Sequence, residues 1–496
     1  MSPFIIITCI VVYFSLLFII STITAKSDSN DAFFIGNRNS PWYIVAYGML
    51  GTTLSGITFI SVPGWVGDKE FSYLQMVFGF FVGYFIISRI LLPLYYKLGL
   101  VSIYTYLKDR FGNYSYKTGS SFFLLSRTIG ASFRLYLIAS VLHYAVFEDL
   151  SISIFGSIYQ IPFFITVVIT IMLIWLYTYK SGIRTIIWTD TLQTTFMLST
   201  VIIIFYVIMS KMDLSFSSLF SQIQDNSCGR IFFIEDWSDK RNFFKQFISG
   251  VFMAIVMTGL DQDQMQKNIS CRNLKDAQKN MMTFSTILIV VDLLFLALGA
   301  LLFLYADTNM IEVPAWRDML FPNIALDPSF PIYIGILFII GIIAAAYSSA
   351  DSALTSLTTA FCIDILDFKK KESKKQVKTR KQVHFLFSLI LLAVILLFRA
   401  INDRSVIEQL FTVAGYTYGP LLGMFAFGLF TKWKIKDKWV PIVAVLSPVI
   451  CYFIKTIYPQ IGFELLILNG TITFIGLSFL RSFNKHEDTA NPKNNQ

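Results

Sequence analysis

Apolar runs of about 20 residues recur from one end of the chain to the other, and they restrict what it can fold into. As a helix, a run of that length crosses the roughly 30 Å hydrocarbon layer of a bilayer. Charged residues make up only 14% of the 496 positions, against about 25% in soluble domains. The chain is therefore predicted to be an all-α integral membrane protein.

The apolar runs predict thirteen membrane spans. The first is long for a signal peptide and lacks a basic start, so we interpret it as a retained span. The predicted ranges are 3–24, 41–66, 72–96, 118–146, 157–179, 184–210, 243–262, 281–305, 331–358, 382–400, 405–431, 439–457 and 461–480.

The distribution of lysine and arginine orients these spans. If the N-terminus lies outside, the inside segments hold most of the 40 Lys and Arg residues, as the positive-inside rule expects. The C-terminus is then cytoplasmic, and the net charge of +9 needs no nucleic acid partner. The predicted inside segments begin at Lys26, Lys97, Lys180, Lys267, Lys369, Lys432 and Arg481.

The five cysteines and three histidines are scattered along the chain. Neither a disulfide framework nor a zinc site is indicated by their spacing. A membrane-embedded enzyme would need a nucleophile–base pair or a metal cluster facing the interior, and neither is evident, so an enzyme is not predicted. With no large regulatory domain in view, we expect a multi-pass protein of a bacterial inner membrane.

Ionisable residues within spans are costly and usually face the protein interior or a water path, and three of them are candidates here. Arg127 and Arg134 lie two helical turns apart and share a face of one span. Asp190 lies early in another span. Each is a candidate for binding, and each has a structural ion pair as its alternative.

Two spans carry clusters of small and hydroxyl residues, Gly51–Thr58 and Ala344–Ser352. Close helix packing explains such clusters in general. Transporters, however, also break helices at mid-membrane and use the freed carbonyls to bind cations. The carbonyls of Gly51 and Leu54, with the hydroxyls of Ser348 and Ser349, would form a suitable set of oxygen ligands for sodium.

Several separated segments resemble the sodium:solute symporter family, in the order that the family has them. They are Asp31–Arg38, Ser102–Gly112, Thr258–Asn268, Ala345–Ser352 and Ala414–Gly423. Each segment is weak by itself, but together they cover nearly the whole chain. The family resemblance is therefore strong.

The resemblance implies a leucine-transporter-like core of two inverted five-helix repeats. It places the first repeat at residues 41–210 and the second at 243–432. The other expected units are a first helix and inside loop (1–40), an extracellular loop (211–242), two C-terminal helices (433–482) and a disordered tail (483–496).

The resemblance also implies a sodium site. Its ligands would be the carbonyls of Gly51, Leu54 and Ala345 and the hydroxyls of Ser348 and Ser349. Gly51 is a departure, since alanine is usual there. Some family members bind a second sodium through an aspartate that matches Asp190. Asp190 is thus a candidate ligand of a second ion, or else an electrostatic support for the first.

The second span is more similar to the family's sialic acid members than to its galactose or proline members. The resemblance implies that the hydroxyls of Thr53, Ser55 and Thr58 face the solute. Arg134 would pair with a solute carboxylate, for which a guanidinium is well suited. Gln75 is a further candidate for binding sugar hydroxyls.

These features predict a sodium-coupled symporter that imports a sugar or sugar acid, such as sialic acid, by alternating access. A neutral sugar, an amino acid and another carboxylate remain alternative solutes. A transporter-like membrane sensor and a channel are alternatives of other classes. The expected partners are sodium, the solute and the lipid bilayer, and a monomer is compatible with the sequence.

Overall fold

The computed structural model describes residues 3–24, 30–144, 151–154, 157–178, 183–225, 229–368, 373–401 and 406–482. These residues are mostly helical. The helices are α1 (Pro3–Thr24), α2 (Asn30–Ile35), α3 (Trp42–Thr53), α4 (Gly56–Lys69), α5 (Tyr73–Ile86), α6 (Leu92–Lys97), α7 (Thr105–Arg110), α8 (Asn113–Leu142), α9 (Phe163–Thr178), α10 (Ile183–Lys211), α11 (Phe216–Asp225), α12 (Phe243–Ala254), α13 (Gln262–Ile269), α14 (Leu274–Thr308), α15 (Leu320–Leu326), α16 (Ile332–Ala360), α17 (Ser373–Ile401), α18 (Val406–Thr417), α19 (Gly419–Phe430), α20 (Val440–Ile457) and α21 (Leu465–Phe479). The strands are β1 (Ser151–Ile154) and β2 (Ser157–Gln160).

Each predicted span coincides with one helix or with helices joined end to end. Among the described residues, eight helical stretches are long and apolar enough to cross a membrane, or ten if each bent pair counts as one span. The shorter apolar helices α9 and α21 add to these. The predicted start of one span at residue 157 is wrong, because residues 157–160 pair with β1 in an antiparallel hairpin and α9 begins only at Phe163.

Two predicted spans are broken inside the bundle. The second predicted span divides into α3 and α4, with Leu54 and Ser55 outside both helices. The seventh divides after a π-helical turn at Ile255–Gly259, and α13 continues at an angle of 65°. A third bend, of 46°, separates α18 from α19. Breaks of this kind free backbone carbonyl and amide groups for ligands.

The break before α13 corrects the predicted topology. The sequence pattern placed the start of an inside segment at Lys267, but all eight residues of α13 are buried. The chain therefore stays within the bundle after residue 260, and Lys267 lies in its interior with 1% of its surface exposed. The prediction failed because the polar composition of α13 has no apolar pattern that marks it as part of a span.

Helix α16 is central to the fold. It packs against α10, α8, α17 and α3, and its residues from Ile342 to Ala360 are all buried. Helix α11 lies within the predicted extracellular loop of residues 211–242. Two predictions, the basic residues Lys369–Lys371 and the tail at 483–496, lie outside the described residues.

Candidate sodium and solute sites

The break between α3 and α4 leaves its carbonyls without the usual helical partners. In a continuous helix, the amide of Ser55 would donate to the carbonyl of Gly51. It donates instead to the carbonyl of Thr53, at 3.0 Å. Leu54 has non-helical torsion angles (φ −77°, ψ 73°) and Ser55 is extended. The carbonyl of Gly51 therefore lacks the amide partner that a continuous helix would give it, which is compatible with the predicted role of Gly51 as a cation ligand.

The serine pair of α16 lies against this break. The hydroxyl of Ser349 donates to the carbonyl of Thr52 at 3.1 Å. The hydroxyl of Ser348 donates to Asp190 of α10 at 2.9 Å. Ala345, one turn earlier on α16, is also buried. Helix α16 is continuous here, so the backbone is broken only on the α3–α4 side of this candidate sodium site.

The close packing around position 51 explains why a glycine occupies it. A Cβ atom at this position would lie 2.3 Å from Thr194 Oγ1 and 3.2 Å from Ser348 Oγ. The Thr194 hydroxyl is itself fixed by the carbonyl of Asp190, at 2.7 Å. The glycine therefore lets α3 approach both α10 and the serine pair. Alanine, which is usual in the family at this position, would require Thr194 to move.

Asp190 is the centre of a fully buried polar cluster. Its Oδ1 accepts from Ser348, and its Oδ2 accepts from the Thr52 hydroxyl at 3.0 Å. The ammonium group of Lys267 forms an ion pair with the same Oδ2 at 2.6 Å and also contacts the Thr52 hydroxyl. Asp190 and Lys267 are 0% and 1% exposed. Sequence reasoning found Asp190 but missed Lys267, because it was assigned to a loop.

A cavity adjoins the break on the other side. It leaves about 80 Å³ for the centres of water molecules, which is room for several water-sized polar groups. Four of the predicted solute-binding residues line it: Thr53, Ser55, Thr58 and Arg134. The remaining lining residues are Ile57, Tyr73, Phe80, Tyr84, Arg127, Met253, Ala254, Met257, Thr258, Gln264, Ile407, Leu410 and Phe411.

Gln75 is not among the residues that line this cavity. Its side-chain amide donates to the carbonyls of Arg241, at 2.9 Å, and Ser72, at 3.3 Å. Its Oε1 accepts from the amide of Phe233 at 3.3 Å. Gln75 therefore ties the loop before α12 to the start of α5, and the structure gives it a different position from the one that sugar binding requires.

The two arginines of α8 both line the cavity but differ in their partners. Arg127 pairs with Asp263 and lies 4.0 Å from Asp261, which also accepts from the Tyr418 hydroxyl at 2.6 Å. For Arg134, no carboxylate lies within 4.0 Å in the described part of the chain. Arg134 is thus a buried guanidinium, 7% exposed, that forms no ion pair with the described residues.

Further polar atoms of the cavity wall have no hydrogen-bond partner among the described residues. They include the Thr53 hydroxyl, Arg134 Nε and Gln264 Oε1. Buried polar groups in folded proteins are normally paired. Gln264 was missed by sequence reasoning, although it lies in the polar segment Thr258–Asn268.

Two short segments of chain connect the polar cluster around Asp190, hereafter called the cation cluster, to the cavity. At the α3–α4 break, Thr52 faces Asp190 while its neighbour Thr53 lines the cavity. On α13, Asp263 pairs with the cavity residue Arg127 while Lys267 pairs with Asp190. A helical membrane bundle with broken helices between a cation site and a solute cavity defines the class of ion-coupled secondary transporters.

Comparisons with known proteins agree with this class. The family model "Sodium:solute symporter family" matches residues 33–436, and the chain belongs to that family. The protein is therefore a multi-pass membrane transporter of a solute, and sodium is its coupling ion.

The chain is 27% identical over 472 residues to the sodium/sialic acid symporter SiaT of Proteus mirabilis, covering 90% of each chain. It is 27% identical over 421 residues to the sodium/sialic acid symporter NanT of Aliivibrio fischeri, covering 82% of this chain and 79% of that one. A solved Na+-coupled sialic acid symporter in an outward-open, substrate-bound state superposes with a TM-score of 0.81 at 22% identity, over 96% and 97% of the two chains. The predicted all-α membrane fold with a leucine-transporter-like core is confirmed.

Proposed function

We propose that the protein imports an anionic sugar acid of the sialic acid type together with sodium. The observation that carries this proposal is Arg134, a buried guanidinium in the cavity wall that has no carboxylate within 4.0 Å among the described residues. A buried charge that lacks a partner is costly. A solute carboxylate supplies the partner in a bidentate geometry. The names of two relatives, both sodium/sialic acid symporters, support the same solute class.

The hydroxyl groups around Arg134 suit the rest of such a solute. Thr53, Ser55 and Thr58 present three hydroxyls along the broken segment, and Gln264 adds an amide oxygen. Tyr73, Phe80 and Phe411 add aromatic surface to the wall. A polyhydroxylated ring with one carboxylate uses all three kinds of group. A neutral sugar leaves Arg134 unpaired, and a small carboxylate leaves most of the hydroxyls unused.

Sodium binding at the break would join α3 to α16. Its ligands in this proposal are the carbonyls of Gly51, Leu54 and Ala345 and the hydroxyls of Ser348 and Ser349. The contact of Ser349 with Thr52 supports this position, since it brings α16 to the unwound residues. Because Thr53 directly follows, sodium also orders one wall of the solute cavity. Sodium and solute then raise each other's affinity, as reciprocal coupling requires.

Two buried carboxylates hold the bundle at separate positions along its length. Asp318, before α15, accepts from Ser61 of α4 at 2.9 Å. Asp364, after α16, accepts from Ser102, Tyr116 and Ser120 at 2.7–2.9 Å. These contacts cross between separate segments of the bundle and tie them together. Transport needs no covalent step, and we infer that the protein is not an enzyme.

The proposed setting is a bacterial inner membrane, with the N-terminus outside and the C-terminus in the cytoplasm. The bacterial relatives and the excess of basic residues in the predicted inside segments support it. A sodium symporter for an amino acid or another carboxylate is the second candidate, because Arg134 alone would suit any carboxylate. It predicts that small carboxylates compete for uptake as well as sugar acids do.

The experiment that tests the proposal is sodium-driven uptake of sialic acid into proteoliposomes by the parent and by Arg134→Ala. Truncating one partner of a buried charge pair costs about 2–5 kcal/mol, so we expect solute affinity to fall about 30-fold or more. The control is Lys245→Met, which removes a positive charge from the ion pair with Glu464 and lies outside the cavity lining. Equal uptake by parent and Arg134→Ala, or better uptake of small carboxylates, would exclude the proposed solute.

A further inference from the structure

Lys267 is a buried lysine that the transport cycle described above does not use. Its ammonium group lies 2.6 Å from Asp190 Oδ2 and contacts the Thr52 hydroxyl. Both side chains are at most 1% exposed. A lysine in this position cannot extend its head group to water, as lysines at membrane surfaces do. Lys267 therefore belongs to the polar cluster around Asp190 in this structure.

The oxygens of Asp190 are already in use in this arrangement. Oδ1 accepts from Ser348, and Oδ2 accepts from Thr52 and from Lys267. Thr52 connects Asp190 directly to the α3–α4 break, and Ser349, the neighbour of Ser348, donates to the carbonyl of Thr52. A sodium ion that used Asp190 as a ligand would therefore lie beside the same hydroxyls. That position is within a few ångströms of the lysine ammonium group.

We propose that Lys267 and a second sodium ion compete for Asp190, so that the lysine acts as a tethered cation at this carboxylate. This inference rests on the proposed sodium site at the break. Two monovalent cations facing one carboxylate in a buried site repel each other strongly, because little solvent screens them. With Lys267 in place the carboxylate is neutralised, and the main sodium site next to it depends on neutral carbonyl and hydroxyl ligands.

The backbone around Lys267 holds the lysine in this position. Helix α13 begins after the 65° bend, and the Asp261 side chain caps it by accepting from the amide of Asp263 at 2.9 Å. Asp263 in turn pairs with Arg127 on the solute side. The side-chain amide of Asn268, next to Lys267, donates to the backbone carbonyl of Gln264 at 2.9 Å. For sodium to reach Asp190, either the lysine side chain or α13 itself must move.

The test counts sodium ions bound to the purified protein, using radioactive sodium and equilibrium dialysis. At a sodium concentration where the parent binds one ion, Lys267→Met is expected to bind two, with at least tenfold tighter binding of the second ion. Lys267→Arg keeps the charge and is expected to bind one. The double variant Lys267→Met with Asp190→Asn removes the added site and returns the count to one. Lys245→Met, which loses a charge elsewhere, is the matched control and is expected to bind one.

The outcomes separate this inference from the proposed function. If Lys267→Met binds sodium in the same number and with the same affinity as the parent, competition is disproved while sodium coupling stands. If the parent itself shows two ions of equal affinity, the lysine does not compete. If the parent binds none, the proposed sodium site also fails. Should Lys267→Met not fold, Lys267→Gln and the sodium concentration dependence of the melting temperature give the same comparison.

Discussion

The solute cavity and the cation cluster lie on opposite sides of the same helix break, yet their charges are balanced differently. In the cluster, the carboxylate of Asp190 is neutralised by Lys267 at 2.6 Å. In the cavity, Arg127 is neutralised by Asp263, while Arg134 has no carboxylate partner in the described residues. The difference is that the cavity presents a guanidinium with no carboxylate within 4.0 Å among the described residues, which suits an anion, whereas the carboxylate of the cluster already has a cationic partner.

The largest effect is expected on stability, when Arg127 in the cavity wall loses its carboxylate partner. Asp263→Asn takes the main partner from Arg127, and breaking a buried ion pair costs about 3–5 kcal/mol. We expect a clearly lower melting temperature of the purified protein in detergent. Glu235→Gln, at the exposed pair Arg230–Glu235, is the control and should leave the melting temperature unchanged. An unaltered melting temperature in Asp263→Asn would mean that Arg127 does not depend on this carboxylate.

The next effect concerns the uncompensated arginine. Arg134→Lys keeps a positive charge in the cavity but loses the planar fork that binds a carboxylate bidentately. We expect about tenfold weaker solute binding, equivalent to about 1.4 kcal/mol, with little change in melting temperature. Isothermal titration with sialic acid measures it. If Arg134→Lys lowers stability as much as Asp263→Asn does, Arg134 has a structural partner and the comparison between the two arginines fails.

A smaller effect is expected on the sodium side. Ser349→Ala removes a hydroxyl that bridges α16 to Thr52 at 3.1 Å. The loss of one such interaction is worth about 1 kcal/mol, so sodium affinity should fall about fivefold. Ser356→Ala is the matched control, since this buried serine of the same helix bonds only its own helix, at Ala353. Unchanged sodium activation of uptake in Ser349→Ala would remove this serine from the sodium site.

The smallest effect on solute binding is expected for Gln75→Ala. The side chain lies outside the cavity lining and ties the loop before α12 to α5. We expect solute affinity within about twofold of the parent, because only the loop anchor is lost, and a lower melting temperature, because the amide of Phe233 loses its partner. A large loss of affinity without loss of stability would restore Gln75 to the solute site.

Much of this site was predictable from single residues and their local pattern. The glycines and hydroxyls of Gly51–Thr58 indicated a break, and the break lies there. Thr53, Ser55 and Thr58 follow one another closely along this segment, and all three line the cavity. The position of Gln75 was not predictable, because the loop that it holds comes from residues 166 positions further along the chain.

The sequence by itself determined that this chain crosses a membrane many times, because runs of apolar residues match the thickness of the hydrocarbon layer. It also marked Asp190, Arg127 and Arg134 as polar residues buried among them. Only the tertiary structure decided how their charges pair. Lys267 and Asp190 are 77 positions apart, and Arg127 and Asp263 are 136 apart. Such pairs depend on how whole helices bend and pack, and the periodicity of any one helix contains no information about them.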